Sequence, residues 1–185
     1  VISMKKDFNK KLRLLFVGRL ERKKGLDDVF SLLKSLDNYD RIENFTLIGD
    51  SNDFSRYEKL AKNLPFDVHI LGALPRKIVF NYYEKSDILL LLSKTEGFPK
   101  VVMEAGAFGC VPALSSLPNF EPYINHNING IILKDRSPKE FASTFEKIIS
   151  DANTLKKMSN EITVTAKLFT YENYLSSIKT LILND

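Results

Sequence analysis

Short apolar runs alternate with amphipathic helical repeats along most of the chain, and this alternation restricts the fold more than any other feature. The runs are Leu12 to Val17, Phe45 to Gly49, Val68 to Leu71, Ile88 to Leu92, Val111 to Leu114 and Gly130 to Leu133. Between them lie Leu26, Val29, Phe30, Leu32, Leu33 and Leu36, then Tyr57, Leu60, Ala61 and Leu64, then Ile78, Val79, Tyr82 and Tyr83. Each set has the three-to-four spacing that gathers apolar groups on one helix face. Strands covered on both faces read as near-continuous apolar runs, and strands joined through helices pair in parallel. The prediction is an α/β protein with a doubly wound, parallel, six-stranded sheet and helices on both faces. At 185 residues, 44% of them apolar, the chain can build one large core.

The rest of the chain is read around that sheet. Ser137-Pro138-Lys139-Glu140 has the form of a capping box with proline at the first helical position, and Phe141, Phe145, Ile148 and Ile149 follow on one face. From Asn153 to Leu183 the spacing is helical in two parts, broken near Thr170, with Leu175, Ile178, Leu181 and Ile182 as an apolar stripe. Residues 1–11 are polar and basic without periodicity and read as a linker. The expected organisation is therefore a linker over 1–11, one α/β domain over 12–169 and a terminal helix over 170–185. A start at Val1 fits a piece taken from the carboxyl half of a longer protein.

Several function classes are disfavoured. A single cysteine, Cys110, rules out an internal disulfide and a cysteine zinc cage, and His69 and His126 are the only histidines. No Asp-X-Asp occurs, so the usual carboxylate arrangement for a metal-bound diphosphate is missing, and no metal or cofactor is expected. No apolar run approaches the roughly 20 residues of a spanning helix, and no signal peptide is evident, so cytoplasmic residence is expected. The formal charge of +4 suits a phosphate-bearing ligand. Basic residues are dispersed among acids, which argues against a nucleic-acid module.

In open parallel sheets the ligand crevice lies at the carboxyl ends of the strands, so the residues just after each run carry the information. After the first comes Gly18-Arg19-Leu20-Glu21-Arg22-Lys23-Lys24-Gly25. Its glycine allows close approach to backbone, and Arg19 and Lys24 could neutralise a diphosphate, although a solvated basic loop explains the segment equally well. Gly49-Asp50-Ser51 and Gly72-Ala73-Leu74-Pro75 read as turns at the next two strand ends. After the fourth run, Glu96 and Glu104 stand eight positions apart in Thr95-Glu96-Gly97-Phe98-Pro99-Lys100-Val101-Val102-Met103-Glu104-Ala105-Gly106. A helix starting near Pro99 leaves Glu96 in the loop and Glu104 about a turn and a half inside. The backbone N–H groups of Lys100 and Val101 would then face the strand end, where the helix dipole favours an anion. Both glutamates could be ordinary solvent-facing charges at a helix start. Glu104 lies among Val101, Val102, Met103, Ala105 and Ala107, however, which favours an acid directed at a sugar or ribose hydroxyl. His69 reads as a core or edge residue, His126 as a loop residue, Cys110 as small apolar packing and Gly109 as a helix C-cap.

These segments, in this order, resemble the carboxyl-terminal, donor-binding domain of GT-B glycosyltransferases of the retaining family 4, the group 1 glycosyltransferases. The most specific mark is the pair of glutamates separated by seven residues, Glu96 and Glu104. Supporting marks are Phe16-Val17-Gly18-Arg19-Leu20 with Lys23-Lys24-Gly25, Leu71-Gly72, Ser86-Asp87 and Asn129-Gly130. The resemblance implies a Rossmann-like half of a GT-B fold that binds a nucleotide diphosphate sugar. It implies that Arg19 and Lys24 bind the donor diphosphate, that Glu96 faces the sugar hydroxyls, and that these three carry the catalytic work. It further implies that Glu104 holds the ribose, that Gly72 to Arg76 flank the base, and that Gly18, Gly97, Phe98, Pro99, Lys100 and Val101 complete the donor site.

The implied reaction is transfer of a sugar to an acceptor hydroxyl with retention and without a metal. The acceptor, a saccharide or lipid-linked glycan, would be held by an amino-terminal domain outside this chain, against which the terminal helix would pack. The whole protein would then serve cell-surface polysaccharide or glycolipid synthesis in the cytoplasm, with peripheral association at the inner face of the membrane, and this chain alone would bind donor weakly and catalyse nothing. Ser115-Ser116-Leu117-Pro118-Asn119-Phe120-Glu121 departs from the glycine-containing form of many relatives. A nucleotide-sugar epimerase and a non-catalytic nucleotide-sugar-binding partner subunit are the alternatives.

Overall fold

The structure is a computed structural model that describes residues 6–97, 100–134 and 137–169. Phe98, Pro99 and the expected helix over 170–185 lie outside the described residues. The elements are β1 (Leu12–Val17), α1 (Leu26–Lys34), β2 (Ile42–Ile48), α2 (Phe54–Ala61), β3 (Asp67–Ile70), α3 (Arg76–Lys85), β4 (Ile88–Leu91), α4 (Lys100–Ala107), β5 (Val111–Ser115), β6 (Ile131–Leu133), α5 (Pro138–Ile149) and α6 (Ala152–Lys167). The strands form one six-stranded sheet in the order β3-β2-β1-β4-β5-β6, and every neighbouring pair is parallel. This is the doubly wound α/β sheet expected from the apolar runs.

Two apolar layers close the sheet. On one face Phe30 of α1 meets Phe45 of β2 edge-on at 6.0 Å and stacks on Tyr57 of α2 at 6.2 Å, and α5 packs against α1. On the other, Phe80 and Tyr83 of α3 pack on Phe108 at the end of α4 at 5.6 and 6.1 Å, and α6 packs against α4. The strand order reverses between β1 and β4, which makes the carboxyl ends of those two strands the switch point where such sheets bind ligands.

Local departures from the expected elements have plain causes. Strand β2 begins at Ile42, earlier than its apolar run, because Leu12 pairs with Ile42 and Arg13 with Asn44, so Glu43 bulges out of the ladder. Ser137 stands at the N-cap of α5 with Pro138 at the first helical position, but its side chain makes no capping hydrogen bond. The capping box is therefore not formed. Asp151, unnoticed in the sequence, caps α6 by accepting from the N–H groups of Asn153 and Thr154 at 2.9 and 3.1 Å. Gly109 ends α4 with φ at 73°, as its C-cap reading requires. Cys110 is buried, and burial pushes its thiol up to about 12.

The stretch read as a linker is attached to the body over its described part. Phe8 is 2% exposed and belongs to the core, and Arg41 donates to its carbonyl at 2.8 Å. The Lys6 ammonium donates to the carbonyls of Tyr83, Glu84 and Ser86 at the carboxyl end of α3, and burial pulls its pKa down. Asp87, buried beside them, accepts from the Arg13 N–H at 2.8 Å, and burial raises its carboxyl. A lone aromatic without periodicity gave no sign of this seam, which closes the end of β1 and β4 opposite the crevice. Among the described residues no helix is long and apolar enough to cross a membrane.

Candidate functional site

The loop after β1 is shaped to lie against the end of β4. Gly18 leaves the sheet with its N–H on the Ile48 carbonyl at 3.0 Å. Arg22–Lys24 then form one 3-10 turn that ends at Gly25 with φ at 69°. A Cβ at Gly25 would lie 1.7 Å from the Leu92 carbonyl oxygen, so only glycine permits this approach. The Lys94 N–H donates to the Lys23 carbonyl at 3.0 Å and ties the two loops together.

That approach brings Lys24 onto Glu96. The ammonium donates to both carboxylate oxygens at 2.9 and 3.0 Å. The Lys24 side chain is 31% exposed and that of Glu96 11%, a partly desolvated pair whose attraction water screens less than at an open surface. The Ser93 hydroxyl donates to Oε1 of Glu96 at 2.6 Å, and the Ser93 carbonyl accepts from the buried Ser115 hydroxyl at 2.6 Å. Asn119 donates its side-chain amide to the Glu96 carbonyl. The carboxylate of Glu96 is thus fixed from β1, β4 and β5, with its backbone held from the loop beyond. Ser115 and Asn119 of the departing Ser115–Glu121 stretch supply part of this frame.

Glu104 is held from a different side. Its Oε1 accepts from Arg76, the first residue of α3, at 2.7 Å, and its Oε2 from the Tyr83 hydroxyl at 3.3 Å. Tyr83 is buried, and burial together with the Glu104 charge drives its phenol upward. Arg76 lies with its guanidinium 5.2 Å from the Phe80 ring centre and is 74% exposed. It follows the Gly72 turn, whose carbonyl accepts from the Gly49 N–H at 2.8 Å and so joins the ends of β2 and β3.

The four charged residues singled out in the sequence are therefore not one cluster of direct contacts. Lys24 meets Glu96, Glu104 meets Arg76, and Arg19 shares no ion pair with any of them among the described residues. Arg19 is exposed and lines a cavity of about 210 Å³ with Asp50, Asp53, Arg56 and Tyr57 between the ends of β1 and β2. The neighbouring cations Arg22 and Arg56 are both engaged by Asp27, at 3.2 and 2.9 Å. Gly97 is exposed, while Lys100 and Val101 form the first turn of α4, whose N–H groups have no partner within a helix.

Ser93, Ser115, Asn119 and Tyr83 were not foreseen. Ser93 and Ser115 stand at strand ends, so the rule that selected Arg19 and Glu96 could have found them. Asn119 and Tyr83 carry no sequence signal for their contacts. A cavity of about 570 Å³, lined by His126, Lys147, Asp151 and Thr154 among others, lies elsewhere, along α5 and α6. Neither Glu96 nor Glu104 lines it. Among the described residues no group of three or more His, Cys, Asp or Glu is placed to hold a metal ion. The crevice offers carboxylates for hydroxyl groups and cations for an anion, a combination suited to a ligand that is both polyhydroxylated and charged.

Residues 2–164 match the family model for glycosyl transferases group 1. An uncharacterized glycosyltransferase of Methanocaldococcus jannaschii, MJ1069, is 31% identical over 93% of this chain and 44% of its own length. A Campylobacter jejuni enzyme, named GalNAc-alpha-(1->4)-GalNAc-alpha-(1->3)-diNAcBac-PP-undecaprenol alpha-1,4-N-acetyl-D-galactosaminyltransferase, is 29% identical over 91% of this chain and 47% of its own. The chain thus spans a little under half the length of these relatives. The crystal structure of Anabaena HepE in complex with UDP and glucose superposes with a TM-score of 0.78 at 16% identity, covering 96% of this chain and 50% of the other, and so shares the fold.

Proposed function

This chain belongs to the glycosyl transferases group 1 family, and from that premise we propose that its crevice binds the nucleotide diphosphate sugar donor of a retaining glycosyl transfer. In this reading Arg19 and Lys24 take the diphosphate, assisted by the N–H groups of Lys100 and Val101. Glu96 accepts hydrogen bonds from the sugar hydroxyls and Glu104 from the ribose, with the Gly72 to Arg76 loop beside the base. Gly18 and Gly97 line the approach.

The observation that carries this reading is the meeting of Lys24 and Glu96 at 2.9 Å across the switch point between β1 and β4. An anion-binding cation and a hydroxyl-binding carboxylate stand side by side where the phosphate and sugar of one donor would be neighbours. Stabilising charge on the departing diphosphate is the main catalytic work such a site can do, and cations can do it without a metal. The UDP and glucose bound by the Anabaena neighbour support the donor class. The undecaprenol-linked glycan in the Campylobacter relative's name supports a saccharide or lipid-linked acceptor, and cell-surface polysaccharide or glycolipid synthesis as the pathway.

The acceptor site belongs in this reading to a second domain, as the shorter span of the chain relative to its relatives suggests. The whole protein works in the cytoplasm with peripheral attachment to the membrane, and this chain by itself binds donor weakly without turnover. Calorimetric titration with UDP, GDP and ADP tests the donor site. One of the three should bind, and Lys24→Ala should weaken it about tenfold or more, as expected for a charge-assisted phosphate contact. No binding of any, or affinity unchanged by Lys24→Ala, overturns the reading. Anomeric analysis of product made by a protein carrying both domains tests retention.

A further inference from the structure

Lys24 is already engaged by the residue expected to read the sugar, and this sets up a competition. Its ammonium contacts both carboxylate oxygens of Glu96, at 2.9 and 3.0 Å. A diphosphate that draws on Lys24 shares the ammonium with Glu96 and so weakens an ion pair that is only 31% and 11% exposed on its two sides. Glu96 does not depend on Lys24 for its position, since Ser93 holds Oε1 at 2.6 Å and is itself tied to β5 through Ser115. The carboxylate can give up the ammonium and still face the same way.

We propose that Glu96 acts as a competitor for Lys24 that makes the site prefer a sugar-bearing nucleotide over the spent nucleoside diphosphate. This deepens the donor-site reading and rests on it. A sugar nucleotide brings hydroxyl donors to Glu96 and phosphate oxygens to Lys24, so both halves of the pair are satisfied when it opens. A nucleoside diphosphate brings only the phosphates. It leaves a largely buried carboxylate with Ser93 as its remaining side-chain partner among the described residues, and an acceptor left short of donors in that setting opposes binding. Once the sugar has left, Glu96 reclaims Lys24 and the diphosphate is released. Glu96 is then a specificity-determining residue for the state of the donor as well as a contact to its sugar.

Calorimetry with three matched pairs tests this: UDP and UDP-glucose, GDP and GDP-glucose, ADP and ADP-glucose. For the pair that binds, Glu96→Gln should tighten the diphosphate by about three- to tenfold, the size of one coupled pair, and should not tighten the sugar nucleotide. The preference between them should shrink by at least that factor. In a Lys24→Met background the gain from Glu96→Gln should vanish, because the ammonium that it frees is gone. Glu96→Asp, with its carboxylate drawn back from Lys24, should give a smaller gain in the same direction and covers the case of poor folding by the amide.

If Glu96→Gln leaves the diphosphate affinity unchanged or lower, the competition is wrong while the donor site stands. A gain that persists in full with Lys24→Met means simple repulsion between Glu96 and phosphate, and also overturns it. If none of the six ligands binds the unaltered chain, the donor-site reading fails and takes the competition with it.

Discussion

Gly25 and Leu92 approach so closely that any side chain at position 25 would place its Cβ 1.7 Å from the Leu92 carbonyl oxygen. The contact fastens the loop after β1 onto the end of β4 and carries Lys24 to Glu96, a residue 72 positions away. It is the joint on which the crevice at the switch point is built.

Gly25→Ala should therefore cost more than an ordinary surface change. It meets both a positive φ of 69° and a backbone clash that no rotamer relieves. We expect a loss of about 2 kcal/mol or more, because the strain and the displaced loop add. Urea denaturation measures it, and a loss below about 0.5 kcal/mol would show that the loop does not close as described.

The two partners of Glu104 should separate by their burial. Arg76→Ala removes a contact whose cation is 74% exposed, and should change stability by less than about 1 kcal/mol. Tyr83→Phe removes a buried hydroxyl that donates to a carboxylate, and should cost about 1 to 2 kcal/mol. Equal effects, or a larger one for Arg76, would contradict this ordering.

His126 should give stability a dependence on mild acid. Its Nδ1 accepts from the Ile132 N–H at 3.0 Å, and partial desolvation of the ring, with the nearby Lys134 charge, pulls its pKa below 6.5. The unfolded chain thus takes the proton first as pH falls, so the contribution is complete above 6.5 and is lost on descent through the folded value. The slope will be shallow because the residue is exposed. His126→Asn, which keeps an acceptor near the same place without titrating, should flatten it in urea midpoints measured from neutral to mildly acidic pH.

Phe8 tests whether the stretch ahead of β1 belongs to the core. At 2% exposed it should behave like other buried aromatics, with Phe8→Ala costing about 3 to 5 kcal/mol. A true linker residue would leave the denaturation midpoint where it was.

The strands were legible because a parallel strand covered on both faces must be apolar at nearly every position, as in Ile88 to Leu91, where all four residues are buried. Gly109 was legible too, since the C-cap it forms depends on a few adjacent residues. Ser137 shows the limit of such local reading: its pattern suits a cap, but its side chain makes no capping bond.

By itself, then, the sequence determined the alternation of strand and helix, the placing of Arg19, Lys24 and Glu96 after strand ends and of Glu104 inside the helix that follows, and the family resemblance they carry. The tertiary structure decided which of them meet. Lys24 reaches Glu96 because Gly25 lets one loop rest on another strand, and Glu104 finds Arg76, 28 positions away, because α3 and α4 pack side by side. Periodicity records which face of an element is buried, since burial repeats with the turn of the chain. The partner of a charge leaves no such trace, because it is set by the crossing of elements far apart in sequence.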